Sequence, residues 1–310
     1  MVSTSPTLRP TPTVLRSLPR PRRILKLFSP AKINLFLNVF RKRSDGYHAI
    51  ETLFERLDLG DTIYLEAMPS GVELKVVGGE KIPSGPSNLV CRAAKLLQES
   101  TGVRRGVRIR IRKRIPVSAG LGGGSSNAAT VLVGLNRLWK LRLPRKKLMA
   151  LGAKIGSDVP FFILDVPLAL GTGRGENLKK WPAPKRRIWH VLVKPPFGIS
   201  TKEAYEGLPR PFLTPKKTDV RMLLHSIQRS DSEALSELLK NSLEAAINKR
   251  VTTILEIKKK LLGEGASAAL LSGSGSCVFG LFSSEKKALT AARHLRKIHK
   301  NWKVFTASTY

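Results

Sequence analysis

The sequence predicts an α+β protein built from two domains. Its 310 residues are long for one domain, and strand and helix patterns are interleaved in both halves of the chain. A Pro-rich and basic stretch, Pro182–Arg187, marks the boundary between the halves. We therefore expect a disordered basic extension over residues 1–23, an N-terminal domain over 24–185 and a C-terminal domain over 186–310.

Strand patterns dominate the start of the N-terminal domain. The segment Ile24–Phe40 predicts two strands broken at Ser29-Pro30, because proline cannot donate a hydrogen bond to a sheet. Ile50–Leu57 and Thr62–Ala67 predict two further strands, joined by a turn at Leu59-Gly60-Asp61. This part of the domain is therefore expected to contribute strands rather than helices.

Helical periodicity appears next. Asn88 is a good N-cap for a helix whose apolar residues follow at helical spacing. Val107–Ile115 alternates apolar and basic residues, which predicts a half-exposed strand with its arginines facing water. Helices are predicted from about Ser126 to Trp139 and again from Pro144.

The C-terminal domain repeats the mixture of strands and helices. Trp189–Val193 predicts a strand, and amphipathic helices are expected near Asp231–Leu239 and Asn241–Lys260. Ala266–Leu271 and Val278–Phe282 predict two strands around a tight turn. A last helix and strand close the chain.

The charge of the chain is unusual, since 55 Lys+Arg against 22 Asp+Glu give a net charge of +33. This charge alone fits either a nucleic-acid binder or an enzyme for phosphorylated substrates in a basic proteome. The sequence shows no basic platform interleaved with aromatic residues, so we expect no specific nucleic-acid partner. It also has no apolar run of the roughly 20 residues that span a bilayer, so we expect no membrane partner.

The first 23 residues are rich in Pro, Ser, Thr and Arg and contain no acidic residue. They favour a disordered extension of a bacterial cytoplasmic protein, and a plastid transit peptide is the alternative. The two cysteines, Cys91 and Cys277, are too few for a disulfide framework and lack metal-site spacing. We expect both thiols in the core.

The strongest local signal is the loop Pro116–Ser126 (PVSAGLGGGSS), which lies between a predicted strand and a predicted helix. Glycines leave backbone N–H groups unshielded, and the helix dipole favours an anion at the same place. Ser125 and Ser126 add hydroxyls for phosphate or Mg²⁺. No Gly-Lys-Ser/Thr follows, so the loop is not a Walker A motif.

Phosphoryl transfer to an alcohol also needs a base and positive charge near the transferred group. Asp158 is the best base candidate, although its position also suits a helix N-cap or a turn. Lys32 lies on an otherwise apolar strand and either extends to solvent or faces a cleft. A lysine beside an aspartate would keep the carboxylate ionised and stabilise charge on the incoming oxygen.

Two further segments leave alternatives open. Tyr47-His48, just past a predicted turn, could bind a planar base or simply pack against the fold. Ser272–Ser276 (SGSGS) could approach a phosphate or form a hairpin turn. The local sequence does not decide between these roles.

Three blocks together identify a family resemblance. SPAKINLFLNV, PVSAGLGGGSSNAA and LSGSGSCVFGLF resemble the GHMP kinases over almost everything from Phe28 to Phe282. The additional blocks RSDGYHAIETLF and GSDVPFF resemble the branch whose substrate is a CDP-linked methylerythritol. The resemblance implies an N-terminal domain like ribosomal protein S5 domain 2, a ferredoxin-like C-terminal domain, and an active site between them.

The resemblance also implies ATP and Mg²⁺ as cofactors and the substrate's C2 hydroxyl as the phosphate acceptor in non-mevalonate isoprenoid biosynthesis. It implies Asp158 as the base and Lys32 as its cationic partner. The implied ATP site consists of Asn88, Leu89, Pro116, Val117, Ser118, Ala119, Gly120, Leu121, Gly122, Gly123, Gly124, Ser125 and Ser126. The implied substrate contacts are Asn34, Tyr47, His48 and Tyr205.

For the metal, Ser125 and Ser126 are the candidate ligands, and no matching carboxylate stands out. A GHMP kinase for mevalonate, homoserine or a sugar is the alternative function. Tyr47-His48 argue against it, because those substrates carry no base for an aromatic clamp.

Overall fold

The structure, a computed structural model, describes residues 24–80, 82–208, 217–247 and 251–310. The predicted extension, residues 1–23, lies outside the described residues. The described strands form a six-stranded sheet within residues 24–181 and a four-stranded sheet within residues 189–308. Helices accompany both sheets, which confirms the predicted α+β class.

The first sheet is mostly antiparallel. Its strands are β1 (Ile24–Lys42), β2 (His48–Met68), β3 (Val72–Val77), β4 (Gly106–Arg112), β5 (Leu168–Gly173) and β6 (Asn177–Trp181). The order is β3-β4-β2-β5-β6, with β1 paired to the other edge of β2 and β3 parallel to β4. β2 pairs with β4 along one half and with β5 along the other, so this strand organises the whole domain.

Two predicted breaks in these strands were wrong. β1 continues through Ser29-Pro30, where its register with β2 shifts, and Pro30 is accommodated at that irregularity. β2 continues through Leu59-Gly60-Asp61, where a turn was expected. A side chain on Gly60 would overlap the ring of Phe28, so this glycine permits close strand approach rather than a turn.

Four helices cover one face of the first sheet. They are α1 (Leu89–Thr101), α2 (Gly123–Leu138), α3 (Arg145–Ile155) and α4 (Val159–Leu164). The Asn88 side chain caps α1 by accepting a hydrogen bond from the Val90 N–H, as the sequence predicted. Inward residues of β2 and β4 such as Ile63 and Ile109 pack with these helices in one core.

The second sheet has the order β10-β7-β9-β8 and is antiparallel. Its strands are β7 (Trp189–Lys194), β8 (Ala268–Leu271), β9 (Val278–Phe282) and β10 (Lys303–Ser308). The helices of this part are α5 (Thr201–Glu206), α6 (Val220–Arg229), α7 (Ser232–Leu238), α8 (Val251–Gly263) and α9 (Glu285–Ile298). The predicted hairpin around Ser272–Ser276 is confirmed, whereas β3, β5, α4, α5 and α6 were not predicted.

The helix predicted over Asn241–Lys260 was wrong in its first half. Ser242–Ala246 is a 3₁₀ helix, and α8 is described from Val251 to Gly263. The Asn241 amide donates to the carbonyl oxygens of Leu271 at 2.9 Å and Gly273 at 2.7 Å. These bonds tie the segment to the end of β8.

Cys91 and Cys277 are both buried and unpaired, as predicted. Burial raises the pKa of the Cys277 thiol to about 12 and also raises the pKa of Cys91. No helix in the described part of the chain is long and apolar enough to cross a bilayer.

We expect both thiols to resist a disulfide reagent in the folded protein at about pH 8, because they are protonated and buried. Both should react once the protein is unfolded in guanidinium. Release of thionitrobenzoate measures the reaction. Rapid modification of either cysteine in the native protein would contradict this placement.

Candidate active site

A cavity of about 990 Å³ lies where the two domains meet. Residues of the first sheet, of the glycine-rich loop and of α5 all line it. The predicted site residues that line it are Lys32, Asn34, Tyr47, His48, Asn88, Leu89, Pro116, Val117, Ser118, Ala119, Gly120, Leu121, Gly122, Gly123, Gly124, Ser125, Asp158 and Tyr205. The structure thus brings residues more than 170 positions apart to one place.

The glycine-rich loop owes its shape to three residues in the left-handed region. Ser118, Gly120 and Gly122 have φ values of 50°, 71° and 66°. α2 begins at Gly123, three residues earlier than predicted, so the glycines themselves form its first turn. The backbone N–H groups of that turn are unshielded, and the positive end of the helix dipole lies at the same place. The geometry suits an anion such as a phosphate.

The second small-residue loop, Ser272–Ser276, braces the first. The Ser272 hydroxyl donates to the Gly120 carbonyl oxygen at 3.0 Å, and the Cys277 N–H donates to the Ala119 carbonyl oxygen at 3.2 Å. A Cβ on Gly120 would overlap the Ser272 carbonyl oxygen. The C-terminal domain therefore supports the loop directly, and glycine is required at position 120.

Asp61 anchors both ends of the loop. The sequence predicted Asp61 in a turn and therefore did not indicate this role. Its carboxylate is fully buried and accepts from the amides of Arg114 at 2.7 Å and Ile115 at 2.9 Å. It also accepts from the Asn127 side chain at 2.8 Å and from Lys113 Nζ at 2.6 Å. One carboxylate thus holds the entry to the loop and the first turns of α2.

Lys113 is a cavity residue that the sequence interpretation missed. It was assigned to a solvated strand face, yet it is 6% exposed and lines the cavity. A Cβ at Gly123 would lie 3.0 Å from its ammonium, so this cation sits beside the start of α2. The alternating pattern of Val107–Ile115 could have indicated this position, because every second residue points inward and Lys113 follows Ile109 and Ile111 in that series.

Ser126 does not belong to the cavity, which corrects its prediction as a phosphate or metal ligand. Its side chain is fully buried, and its hydroxyl lies 2.8 Å from the Ser29 hydroxyl. The Asn127 amide donates to the same Ser29 oxygen at 2.9 Å. In a helix consecutive side chains point in different directions, so Ser125 lines the cavity while Ser126 faces β1.

Lys32 and Asp158 meet in the cavity. Lys32 Nζ lies 3.4 Å from Asp158 Oδ2, and the lysine side chain is 5% exposed. The lysine therefore faces the cleft rather than solvent. Asp158 immediately precedes α4, but its side chain makes no capping hydrogen bond. Its carboxylate is thus free of the structural role that its position suggested.

Asn34 fixes the lysine. Lys32 Nζ donates to Asn34 Oδ1 at 2.6 Å, and the Asn34 amide donates to the Thr52 hydroxyl at 2.7 Å. The Lys32 backbone N–H also donates to the Leu121 carbonyl oxygen at 3.0 Å. These bonds place the ammonium between the glycine-rich loop and Asp158.

An aromatic cluster lies elsewhere on the cavity wall. The rings of His48 and Tyr205 have centroids 5.7 Å apart. His48 Nδ1 lies 2.8 Å from the Phe40 carbonyl oxygen and must donate to it, so Nε2 is the acceptor of the neutral ring. Burial of the Tyr205 phenol raises its pKa, and the nearby negative charge of Asp158 raises it further. Tyr205 therefore keeps its proton at neutral pH.

Arg174 is a second cavity residue that the sequence interpretation missed. Its guanidinium lies 5.0 Å from the centroid of the Tyr47 ring, within cation–π range. The Arg174 backbone N–H donates to Glu176 Oε2 at 2.6 Å. The tight turn between β5 and β6 thus places a cation beside the predicted base clamp.

The described part of the chain contains no group of three or more His, Cys, Asp or Glu side chains arranged to hold a metal ion. The cavity wall has Ser125 and Asp158 as oxygen donors near the loop. Any divalent cation here would therefore take most of its ligands from substrate phosphates and water.

Comparison with known proteins defines the class. The family model for the GHMP kinases N-terminal domain matches residues 88–166, and that for the GHMP kinases C-terminal domain matches residues 223–301. Together with the relatives described next, these matches show that the chain belongs to the GHMP kinase family. GHMP kinases use ATP, and the geometry of the loop suits an anion.

Particular relatives narrow the comparison. A 4-diphosphocytidyl-2-C-methyl-D-erythritol kinase of Pelotomaculum thermopropionicum is 42% identical over 275 residues, covering 88% of this chain and 94% of the relative. The protein of the same name from Geobacillus kaustophilus is 43% identical, covering 88% and 93%.

Solved structures agree with the fold. A crystal structure of 4-(cytidine 5'-diphospho)-2C-methyl-D-erythritol kinase superposes with a TM-score of 0.77 at 34% identity, covering 92% of this chain and 98% of that one. Homoserine kinase from Cytophaga hutchinsonii has a TM-score of 0.70 at 20% identity, covering 93% and 94%. This second match shows the shared fold alone.

The bracing of the loop yields a stability prediction. Gly120→Ala should lower the free energy of unfolding by about 1–2 kcal/mol for its left-handed φ and by roughly 1–3 kcal/mol more for the overlap with Ser272. Gly102→Ala is the matched control, because Gly102 also has φ 71° but has no neighbouring atom within 4 Å. Urea unfolding measures both. Equal losses in the two variants would contradict the bracing.

Proposed function

We propose that this protein transfers the γ-phosphate of ATP to the C2 hydroxyl of 4-diphosphocytidyl-2-C-methyl-D-erythritol. The observation that carries the proposal is the Lys32–Asp158 pair, which lies in the same cavity as a phosphate-binding loop and an aromatic cluster. The names of the relatives support the same substrate. The reaction belongs to non-mevalonate isoprenoid biosynthesis.

In this proposal ATP binds with its phosphates on the glycine-rich loop. The amides at the start of α2 and the ammonium of Lys113 stabilise the phosphate charge. Asn88 and Leu89 lie on the same cavity wall and contact the adenine side. The leaving ADP remains in this cradle when the terminal phosphorus–oxygen bond breaks.

The acceptor hydroxyl lies at Asp158. As the oxygen–phosphorus bond forms, the hydroxyl proton passes to the Asp158 carboxylate. The Lys32 ammonium, 3.4 Å from that carboxylate, stabilises negative charge on the attacking oxygen. Asn34 positions the ammonium, since it accepts one of the lysine's hydrogen bonds at 2.6 Å.

Mg²⁺ fits this site as a cation held mainly by the phosphates of ATP. Ser125 would contribute its hydroxyl and Asp158 a carboxylate oxygen, which is the small protein contribution that Mg²⁺ commonly accepts. When bound, the ion neutralises charge that develops on the transferred phosphoryl group.

The cytidine end of the substrate fits the aromatic cluster. A cytosine ring stacks on Tyr205 or Tyr47, and His48 Nε2 accepts a hydrogen bond from its exocyclic amine. Arg174 supplies a cation for the diphosphate beside the base. Mevalonate and homoserine have neither a base nor a diphosphate, so this wall disfavours them as substrates.

Removal of the proposed base should strongly lower turnover. Asp158→Asn is expected to reduce kcat by about 10²-fold or more, with a small change in KM for ATP. Asp165→Asn is the matched control, because Asp165 caps the opposite end of the same helix and pairs with Arg56 outside the cavity. Steady-state kinetics of both variants measure kcat and KM. Near-normal kcat in Asp158→Asn would remove Asp158 from its role.

The base clamp predicts a selective defect in substrate binding. His48→Ala should raise KM for the cytidyl substrate by roughly tenfold, the value of a lost hydrogen bond and stacking contact, and leave KM for ATP unchanged. His225→Ala removes an exposed histidine of α6 and serves as the control. A parallel rise in both KM values would show that His48 acts on the fold instead.

A further inference from the structure

The second face of the first sheet packs against the C-terminal domain near the middle of β1 and β2, but it is open over β3, β4 and the adjoining ends of β1 and β2. α1 to α4 pack on the side of Ile63, Leu65 and Ile109. Side chains alternate along a strand, so Tyr64 and Arg110 point to the opposite side. That side bears none of the residues that line the cavity.

The strand register assembles a row of basic and aromatic side chains there. Lys26 of β1 lies opposite Tyr64 of β2, which lies opposite Arg110 of β4, which lies opposite Lys75 of β3. Adjacent strands are about 4.8 Å apart, so the row extends over roughly 15 Å. Arg112 lies one step further along β4, in register with Thr62.

The cations of this row differ from their neighbours in their charge partners. Among the described residues, Lys26, Lys75, Arg110 and Arg112 form no ion pair, and all four are exposed. The neighbouring Arg108 is different, because its guanidinium contacts Glu73 at 2.7 Å and Glu66 at 3.3 Å. The face therefore carries a local excess of positive charge, a requirement for binding a polyanion.

Aromatic rings lie among these cations. The Arg110 guanidinium sits 4.3 Å from the centroid of the Tyr64 ring. Phe28, on β1 beside Lys26, is 40% exposed and stacks on Tyr310 with ring centroids 5.3 Å apart. Flat rings and guanidinium planes beside exposed cations form the surface on which unpaired bases stack.

We propose that this surface binds single-stranded nucleic acid. We define it as the platform, formed by Lys26, Phe28, Tyr64, Lys75, Arg110 and Arg112. The sequence predicted no nucleic-acid partner because no contiguous segment alternates basic and aromatic residues. The platform arises only from the register of four strands. It gives part of the net charge of +33 a specific use, and it is independent of the proposed kinase function.

The test is titration of the full chain with a fluorescently labelled oligouridylate of about 16 nucleotides, followed by anisotropy between about 0.05 and 0.2 M salt. The platform variant replaces Lys26, Lys75, Arg110 and Arg112 with Gln. It should bind at least tenfold more weakly, and the slope of log K against log salt should fall by roughly 2 to 3, at about 0.7 per phosphate contact.

The matched control removes four exposed cations from α9, through Lys286→Gln, Lys287→Gln, Arg293→Gln and Lys297→Gln. It has the same net charge as the platform variant and should retain both affinity and slope. Unchanged kinase kinetics, or unchanged urea unfolding, show that each variant is folded. Equal losses in the two variants would overturn the proposal, because the binding would then reflect diffuse charge.

A second arm separates nucleic acid from other polyanions. Tyr64→Leu removes the ring and keeps all charges, so it should weaken oligouridylate binding about tenfold and leave inorganic polyphosphate binding unchanged. Equal affinity of Tyr64→Leu and the unmodified protein for the oligonucleotide would overturn the role of stacking. So would inorganic polyphosphate or a duplex of equal length binding as tightly as the single strand.

Discussion

A single buried carboxylate organises the glycine-rich loop. Asp61 has no contact with solvent, so its negative charge is tolerated only if it is fully hydrogen-bonded and paired. It receives that compensation from Lys113, from two backbone amides before the loop and from Asn127 after it. The demand of one buried charge therefore fixes both flanks of a segment rich in glycine, which would otherwise have great conformational freedom.

The other parts of the cavity are positioned relative to that loop. The Lys32 backbone N–H donates to the Leu121 carbonyl oxygen, so β1 is tied directly to the loop. The Lys32 ammonium reaches Asp158, while Ser272 of the C-terminal domain supports Gly120. The glycine-rich loop, the Lys32 ammonium and the Asp158 carboxylate thus form a set whose separations are defined by hydrogen bonds, and the proposed in-line phosphoryl transfer requires such fixed separations.

Local patterns predicted the parts of this protein that local physics determines. The loop, the N-cap at Asn88 and the hairpin around Ser272–Ser276 depend on neighbouring residues, and the structure contains all three. For Lys32 and Asp158 the local sequence also allowed structural roles. Only the position of both side chains in the tertiary structure excludes those roles. Their meeting was implied by family resemblance and could not be derived from spacing.

The failures have one cause: they depend on contacts between residues distant in sequence. Asp61 followed a glycine and suggested a turn, but its partners lie 52 to 66 positions away. Ser126 looked equivalent to Ser125 until its hydroxyl was found against Ser29. Arg174 likewise reaches the cavity only because β5 and β6 pair. Sequence patterns therefore predict on which face of a strand or helix a residue lies more reliably than they predict its contacts on that face.

The central claim is the identity of the phosphate acceptor, and a coupled assay of ADP release tests it most directly. The protein should release ADP when 4-diphosphocytidyl-2-C-methyl-D-erythritol is added, and should remain near its background rate with mevalonate, homoserine or galactose. Efficient turnover of one of those alternatives, or no ADP release dependent on the cytidyl substrate, would contradict the account.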